Sequence, residues 1–200
     1  MCKICKKPTI KLQVGKLFYY QCSFCGFLEK SSEHHLSEEK EYQRYLQHDN
    51  NINDGYLRYQ KTFLEQIRQH LGTKVLDFGC GESHLLATLI GCTYYDKYFY
   101  PNQDIYCNWY DTIIMEEVIE HLYDPVEELT RLDKLLIRGG KLVIRTQFLK
   151  DNTNLSEWWY LRDQTHISFF QTKTFNVICE LFNYRIIYCN DFDLIILQKA

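Results

Sequence analysis

Two pairs of cysteines near the start of the chain have the spacing of a metal site. Cys2 and Cys5 form one Cys-x-x-Cys pair, and Cys22 and Cys25, followed by a glycine, form a second pair further along the chain. Each pair presents two thiolates from a tight turn, and the four together complete a tetrahedral Zn²⁺ site with no open position. We therefore predict a structural zinc ribbon, folded largely by its metal. A redox role for the two pairs is the alternative.

The segment MEEVIEHL, residues 115–122, gathers three acids and a histidine directly after an apolar run. If this segment is helical, Glu117, Glu120 and His121 stand at positions i, i+3 and i+4, so their side chains share one face. Such a face is either solvated or part of a site. Within a pocket, His121 could take a proton from a substrate as a general base.

In the sequence, a glycine turn lies between the cysteine pairs and the MEEVIEHL segment. The segment TKVLDFGCGESHLLATLI, residues 73–90, predicts a buried strand, a glycine turn and a helix, and CTYYDKY predicts a second strand that ends in Asp96. Such a turn lets the backbone approach a ligand closely. A dinucleotide-binding fingerprint would need its third glycine at position 84, where His84 stands. The turn therefore argues against a nicotinamide cofactor.

The rest of the chain alternates between predicted helices and strands. Residues 31–71 repeat apolar side chains at intervals of three and four, which predicts two helices broken near DNNINDG. Then follow a strand at Tyr110–Met115, a helix from Asp124-Pro125 to about Ile137 and a turn at Gly139-Gly140. KLVIRTQ predicts a strand, TKTFNVICELFN a helix, and YRIIYCN with DLIILQK a closing antiparallel pair. This order predicts an α/β fold with a Rossmann-like, doubly wound and mostly parallel sheet.

Composition limits the classes of function. Of the 200 residues, 46% are hydrophobic and the net charge is -3, which suits one globular domain with a small appendage. No cluster of basic residues exceeds Lys6-Lys7, so a nucleic-acid partner is not expected. No apolar run reaches the roughly 18 residues of a membrane span, and the start lacks the apolar core of a signal peptide. We expect a soluble, cytoplasmic protein with no membrane partner and, at its other five cysteines, reduced thiols.

The sequence Asp-Phe-Gly-Cys-Gly at residues 77–81 resembles the first motif of class I S-adenosylmethionine-dependent methyltransferases. The resemblance implies that this turn wraps the methionine portion of S-adenosylmethionine. It also implies that Asp96 accepts hydrogen bonds from both ribose hydroxyls, as a carboxylate can. The cofactor-binding residues implied in this way are Asp77, Gly79, Cys80, Gly81, Asp96, Lys97, Met115 and Glu116.

A longer string, EEVIEHLYDPVEELTRLDKLLIRGGKLVIRT, resembles the ubiquinone-biosynthesis type of O-methyltransferase and its bacterial relatives. Those relatives often carry an N-terminal zinc ribbon and a tyrosine-rich helical segment, and WWYLRDQTHISFF resembles a stretch that follows their fifth strand. The region between Asp96 and Asp111 is shorter here than in that family. Asp104 and Ile105 are therefore the candidates for contact with the adenine.

The acids and histidines also resemble the Glu-x-x-Glu-His pattern, with a later histidine, of methyltransferases that act on the 2'-hydroxyl of small-RNA 3' ends. That resemblance implies a divalent metal, Mg²⁺ or Mn²⁺, held by Glu117, Glu120, His121 and His166. Such a metal would bind two neighbouring oxygens and lower the pKa of one. A metal-free role, with His121 and His166 as catalytic residues, and a purely structural role are the alternatives. Candidates for lining the acceptor pocket are Trp158, Trp159 and Tyr160.

These features predict three regions: a zinc ribbon at residues 1–30, a helical cap at 31–72 and a methyltransferase domain at 73–200. The predicted function is S-adenosylmethionine-dependent methylation, on a hydroxyl of a small metabolite or sugar. One alternative is an RNA methyltransferase whose ribbon contacts the RNA. Another is a non-catalytic module that binds the cofactor and uses the ribbon to dock a partner protein.

Overall fold

The computed structural model describes residues 1–47 and 53–200, which form two β-sheets and the helices around them. The strands are β1 (Ile10–Val14), β2 (Leu17–Gln21), β3 (Leu28–Lys30), β4 (Val75–Phe78), β5 (Thr93–Tyr95), β6 (Tyr110–Glu116), β7 (Leu136–Arg145), β8 (Ser168–Phe169), β9 (Tyr184–Cys189) and β10 (Leu194–Lys199). The α-helices are α1 (Glu38–Leu46), α2 (Asp54–Ile67), α3 (Leu85–Ile90), α4 (Pro125–Leu135) and α5 (Thr172–Phe182).

The larger sheet has six strands in the order β5-β4-β6-β7-β10-β9. Strands β5, β4, β6 and β7 are parallel neighbours, whereas β10 is antiparallel to both β7 and β9. This arrangement confirms the predicted α/β fold with a mostly parallel sheet. It also brings the carboxyl ends of β4, β5 and β6 to one edge, where ligands of open α/β sheets bind.

Helices cover both faces of this sheet, so the central strands bury side chains on both faces. Along β4 all four residues are buried, as expected for a strand packed on both sides. Alternate residues point to opposite faces. Val75 and Ile114 pack with Phe63 and Ile67 of α2, while Leu76, Ile113 and Leu142 pack with residues of α4 and α5.

The smaller sheet joins the three N-terminal strands to the segment that follows β7. Its order is β1-β2-β3-β8, and β3 pairs antiparallel with β8. The amide of Lys30 donates to the carbonyl of Ile167 (2.9 Å), and Nζ of Lys30 donates to the carbonyl of Gln164 (3.0 Å). Lys30 is buried, and this burial lowers its pKa to about 8. This shared sheet was not predicted, because its two parts are far apart in the sequence.

Two α-helices, α1 and α2, precede the main sheet in the chain, as the spacing of apolar residues predicts. Ser37 caps α1 and Asn53 caps α2, each accepting a hydrogen bond from a backbone amide of its first turn. Helix α1 is tied to the main domain by an ion pair between Arg44 and Asp163 (2.9 Å). The predicted break near DNNINDG falls largely on residues 48–52, outside the described residues.

Two local predictions were wrong. Glu117 has a left-handed backbone (φ 52°), and only Ile119–His121 form a short 3-10 turn, so this segment is not an α-helix. Helix α4 begins at Pro125 as predicted but ends at Leu135, and β7 then runs through Gly139-Gly140 instead of starting after them. The pairing of β6 with β7 shifts register at this place, which accommodates the glycines.

No helix among residues 1–47 and 53–200 is long and apolar enough to cross a lipid bilayer.

One carboxylate fixes the start of the main sheet, and its removal tests the fold. Asp111 accepts hydrogen bonds from the amides of Thr73 and Lys74 (2.7 and 2.9 Å). Burial alone would raise the pKa of Asp111, but these bonds outweigh it and hold the pKa below its ordinary value of 3.8. Asp111→Ala should lower the free energy of unfolding by about 1–3 kcal/mol at pH 7, measured by urea denaturation.

The sign of the pH dependence follows from the lowered pKa. The carboxylate stabilises the fold above pH 4, where it is ionised in both states, and this contribution is lost as the pH falls through its folded pKa. The difference between wild type and Asp111→Ala should therefore shrink at pH 3. Asp151→Ala, which removes an exposed ion pair with Lys173, is the control and should change stability by less than about 1 kcal/mol. An equal loss for both variants would contradict the role of Asp111.

Candidate active site

A cavity of about 1560 Å³ lies at the carboxyl ends of β4, β5 and β6. The turns after these strands form its floor, and side chains of α1, α2 and the segment after β7 form its walls. The volume exceeds the 300–1,000 Å³ typical of a single small-ligand pocket. It can therefore hold a cofactor and a second small molecule together.

The glycine turn after β4 forms one side of the cavity. Gly79 has a positive φ (84°), and a Cβ there would lie 2.4 Å from Cγ2 of Val118, so this position requires glycine. The amides of Gly79 and Cys80 donate to the carbonyl of Tyr95 (2.7 and 3.0 Å), which ties the turn to the end of β5. Gly81 also has a positive φ, and a Cβ there would meet open space. The turn is thus held rigidly, with room above it for a ligand.

Two buried acids stand beside this turn. Asp77 is 3% exposed, and burial together with the neighbouring Glu116 carboxylate raises its pKa to about 8. Burial also raises the pKa of Glu116 to about 7, although Gln60 donates a hydrogen bond to it and Arg145 forms an ion pair with it. A positive charge bound beside these two acids would favour their ionised forms, so the pair suits a cationic ligand.

Asp96 follows β5 and accepts three backbone hydrogen bonds. Its Oδ2 accepts from the amide of Gly81 (3.0 Å), and its Oδ1 accepts from the amides of Tyr98 (2.8 Å) and Phe99 (3.1 Å). A carboxylate has about four acceptor positions, so these bonds leave room for one hydroxyl donor. Asp96 therefore shapes the glycine turn in addition to lining the cavity.

Tyr160 bridges two further acids, Glu117 and Glu120. Its hydroxyl lies 2.5 Å from Oε1 of Glu120 and 3.0 Å from Oε2 of Glu117. Burial raises the pKa of both acids, and for Glu120 the nearby Glu117 carboxylate adds to the effect. Glu120 is fully buried, and its Oε2 has no hydrogen-bond partner within the described part of the chain. A buried carboxylate oxygen of this kind is costly unless a ligand or ion completes it.

His121 and His166 have their rings fixed by main-chain carbonyls. Nδ1 of His121 lies 3.1 Å from the carbonyl of Thr165, and Nδ1 of His166 lies 2.8 Å from the carbonyl of Tyr160. A carbonyl only accepts, so each Nδ1 carries the proton, and in the neutral ring the lone pair is on Nε2. One ligand atom from each of Glu120, His121 and His166 lies within 4.8 Å of the others. Histidines that bind a metal through one ring nitrogen commonly donate a hydrogen bond from the other to such a carbonyl.

The four N-terminal cysteines converge as their spacing predicts. Sγ of Cys2 lies 3.6 Å from Sγ of Cys25, and Sγ of Cys5 lies 3.4 Å from Sγ of Cys22. A tetrahedron of thiolates about 2.3 Å from Zn²⁺ has sulfur atoms roughly 3.8 Å apart. The hydrogen bond with Cys25 lowers the pKa of Cys2 to about 5. The donor set and its dimensions fit zinc.

Most of the predicted site residues meet in the one cavity. Its lining includes Asp77, Gly79, Cys80, Gly81, Asp96, Lys97, Glu116, Glu117, His121 and His166. Glu120 lies behind this lining, and Met115 is fully buried in the core, so the structure does not bring Met115 to the cavity. Ile105 is also buried and Asp104 is exposed; Gln103 and Tyr106 line the cavity instead.

The aromatic triplet divides between two roles. Trp159 and Tyr160 line the cavity, whereas Trp158 packs against Phe169 beside the smaller sheet. Helix α2 also contributes to the cavity, through Tyr56 and Gln60, and this contribution was not predicted. A signal was present, since Gln60 is a polar residue on an otherwise apolar stripe.

Comparison with known proteins identifies this arrangement. A comparison with curated proteins found no significant match. Among solved structures, an O-methyltransferase family protein from Burkholderia thailandensis superposes with a TM-score of 0.56 at 13% identity, over 80% of this chain and 63% of that one. The chain thus spans less than two thirds of that protein.

Two further structures are similar over nearly their whole length. One is a 1,6-didemethyltoxoflavin-N1-methyltransferase from Burkholderia thailandensis with bound S-adenosylhomocysteine (TM-score 0.54, 12% identity, 97% of this chain and all of that one). The other is the N-methyltransferase NodS from Bradyrhizobium japonicum WM9, also with S-adenosylhomocysteine (0.50, 14%, 80% and 97%). At these identities the similarity shows the fold. The family model of a methyltransferase domain matches residues 42–188. The chain therefore belongs to the methyltransferase domain family and has the fold of class I S-adenosylmethionine-dependent methyltransferases.

Proposed function

We propose that the chain transfers a methyl group from S-adenosylmethionine to a hydroxyl of a small metabolite or sugar. The observation that carries the proposal is the convergence of Glu120, His121 and His166. Both histidines line the cavity that the glycine turn also lines, and Glu120 lies directly behind that lining. In this transfer the sulfonium carbon–sulfur bond breaks, a carbon–oxygen bond forms, and the hydroxyl loses its proton. The protein must therefore align the oxygen and remove that proton.

The cofactor would lie along the edge formed by β4 and β5. Its methionine portion would sit on the turn at Gly79 and Gly81, beside Asp77 and Glu116. Asp96 would accept a ribose hydroxyl at the acceptor position that its three backbone bonds leave. The cofactor carries a sulfonium and an ammonium group, and the buried acids of this edge suit both positive charges.

We further propose that Glu117, Glu120, His121 and His166 hold Mg²⁺ or Mn²⁺. Carboxylate oxygens and imidazole nitrogens suit such ions. Oε2 of Glu120, which has no hydrogen-bond partner among the residues that the structure describes, would gain one. When bound, the ion would lower the pKa of the acceptor hydroxyl. The carbonyls of Thr165 and Tyr160 hold Nε2 of each histidine as the lone-pair nitrogen, and Nε2 of His121 lies 4.0 Å from Oε1 of Glu120.

The walls beyond this cluster are aromatic, which supports a small ring-shaped acceptor. Tyr45, Tyr123 and Trp159 line this part of the cavity, and the ring of Tyr45 meets His121 edge-on at 5.6 Å. The toxoflavin methyltransferase with a similar fold is described with a small heterocyclic compound bound, which is consistent with such an acceptor.

We propose a structural role for the ribbon at residues 1–30, with the cap at 31–72 and the methyltransferase domain at 73–200. The ribbon supplies the strand that pairs with β8, next to His166, so it supports the acceptor wall. A cluster of four thiols binds zinc only when reduced, which supports a reducing compartment such as the cytoplasm. No cluster of basic residues in the sequence favours RNA as the acceptor.

Binding of S-adenosylhomocysteine tests the cofactor assignment without knowledge of the acceptor. The wild-type protein should bind it in calorimetric titration. Asp96→Asn should bind about tenfold more weakly, because it loses a charge-assisted hydrogen bond to the ribose and an acceptor for Gly81. Asp104→Asn, outside the cavity, should bind like the wild type. If the wild-type protein failed to bind, the non-catalytic module would become the better interpretation.

Titration with Mn²⁺ tests the divalent-metal site proposed at the Glu and His cluster. Zinc-loaded protein should bind one additional Mn²⁺, detected by electron paramagnetic resonance. Glu120→Gln should weaken this binding at least about tenfold, because an anionic ligand is lost. Glu128→Gln, which changes an acid that lines the cavity away from the two histidines in sequence, is the control and should retain the ion. Equal affinity in both variants would exclude Glu120 as a ligand and favour the metal-free role of His121.

Zinc analysis tests the ribbon. Purified wild-type protein should contain about one zinc per chain, measured by elemental mass spectrometry. Cys22→Ser should lose this zinc, and amide exchange should increase over the first thirty residues, since the metal holds both cysteine turns together. Cys107→Ser removes an exposed cysteine and should keep the zinc. Stoichiometric zinc in Cys22→Ser would disprove the four-cysteine site.

A further inference from the structure

Gln60, in the middle of α2, is a buried polar residue with an incomplete set of hydrogen bonds. Only 4% of the residue is exposed, and it lines the cavity. Its Nε2 donates to Oε2 of Glu116 (2.9 Å) and lies 3.4 Å from the hydroxyl of Tyr56. Its Oε1 is buried and has no hydrogen-bond partner among residues 1–47 and 53–200.

The contact with Glu116 fixes which end of the amide faces the cavity. A carboxylate accepts hydrogen bonds, so the NH₂ group of Gln60 must point to Glu116 and the carbonyl oxygen must point away from it. A buried amide oxygen without a donor is unfavourable, since it has lost its water and gained nothing in return. Native proteins normally complete such a group, and in a cavity the donor can come from a ligand.

The surroundings define the chemical class of that ligand group. Glu116 accepts the hydrogen bond from Gln60. Burial raises the pKa of the neighbouring Tyr56 hydroxyl, and the Glu116 and Asp77 carboxylates add to this effect, so both acids lie near this part of the cavity. Arg145 is the cation paired with Glu116, but it is also bound to Asp193 and lies over the ring of Tyr59. The region around Oε1 of Gln60 is therefore rich in acceptors. A group that donates hydrogen bonds and carries positive charge fits it best.

We propose that Gln60 is part of a subsite for a primary ammonium group, namely the α-ammonium of the methionine portion of the cofactor. The amide oxygen accepts one of its three hydrogens, and Asp77 and Glu116 balance its charge. This inference rests on the proposed function, because it assumes that the cofactor occupies the glycine turn. The hydroxyl of Tyr56 lies 3.3 Å from Oγ of Ser83 in that turn, so α2 is placed directly beside it.

A competing interpretation is that Gln60 only docks α2 by bridging Glu116 and Tyr56. The two interpretations differ in what they predict for ligands with and without the amino group. If Gln60 only docks the helix, its loss weakens all cofactor-like ligands alike. If it binds the ammonium, its loss weakens only those that carry this group.

The experiment compares two probes by calorimetry. One is S-adenosylhomocysteine, and the other is its analogue in which hydrogen replaces the α-amino group. The dissociation constant of the analogue, divided by that of S-adenosylhomocysteine, measures the preference for the ammonium. Gln60→Met should reduce this ratio about tenfold. Gln60→Glu keeps an oxygen in the same place and should keep the ratio within about threefold of wild type. Gln66→Met, an exposed site on the same helix, is the matched control and should leave the ratio unchanged.

The outcomes separate the subsite from the cofactor assignment. An unchanged ratio in Gln60→Met, with both probes still bound or weakened equally, would overturn the subsite and leave the cofactor site intact. A reduced ratio in the Gln66→Met control would also overturn it, because the effect would not be specific to the buried amide. Failure of the wild-type protein to bind S-adenosylhomocysteine would overturn both the cofactor site and the subsite.

Discussion

The parallel pairing of β4 with β6 is the constraint on which the site depends. It brings the ends of both strands to one edge, so that Asp77 and Glu116 lie close together in a largely buried place. Burial of neighbouring carboxylates is unfavourable unless cations accompany them. The cofactor and the metal proposed for the cavity both bring positive charge: the cofactor carries a sulfonium and an ammonium group, and the metal is a divalent cation. The acidity of the cavity and the chemistry of methyl transfer are thus complementary.

The main domain was predictable because its signals are local. Strands β4, β6 and β10 are apolar runs, and α4 and α5 follow an amphipathic repeat with a cap or a capping box at the start. The pairing of β3 with β8 was not predictable, since β8 has only two residues and its partner lies more than a hundred residues away. The left-handed backbone of Glu117 was equally hidden, because glutamate has no local preference for it.

The residues of the candidate site could largely be predicted from the sequence, but the groups that hold their side chains in place could not. The pattern of acids and histidines predicts that Glu120, His121 and His166 lie together, as they do. The predicted arrangement on one face of an α-helix was wrong. The side chains meet instead around a 3-10 turn and the hydroxyl of Tyr160. The carbonyls that orient His121 and His166 have no sequence signature at all, since any residue supplies a carbonyl.

The sheet shared between residues 1–30 and the segment after β7 limits where this chain could be cut into separately folded parts. A chain that began after the ribbon would leave β8 as an unpaired edge, with the rings of Phe169 and Phe170, now 1% and 0% exposed, uncovered beside it. An exposed, apolar edge strand is a site of aggregation. Residues 1–30 are therefore not a detachable module of this chain, because they complete the packing around β8.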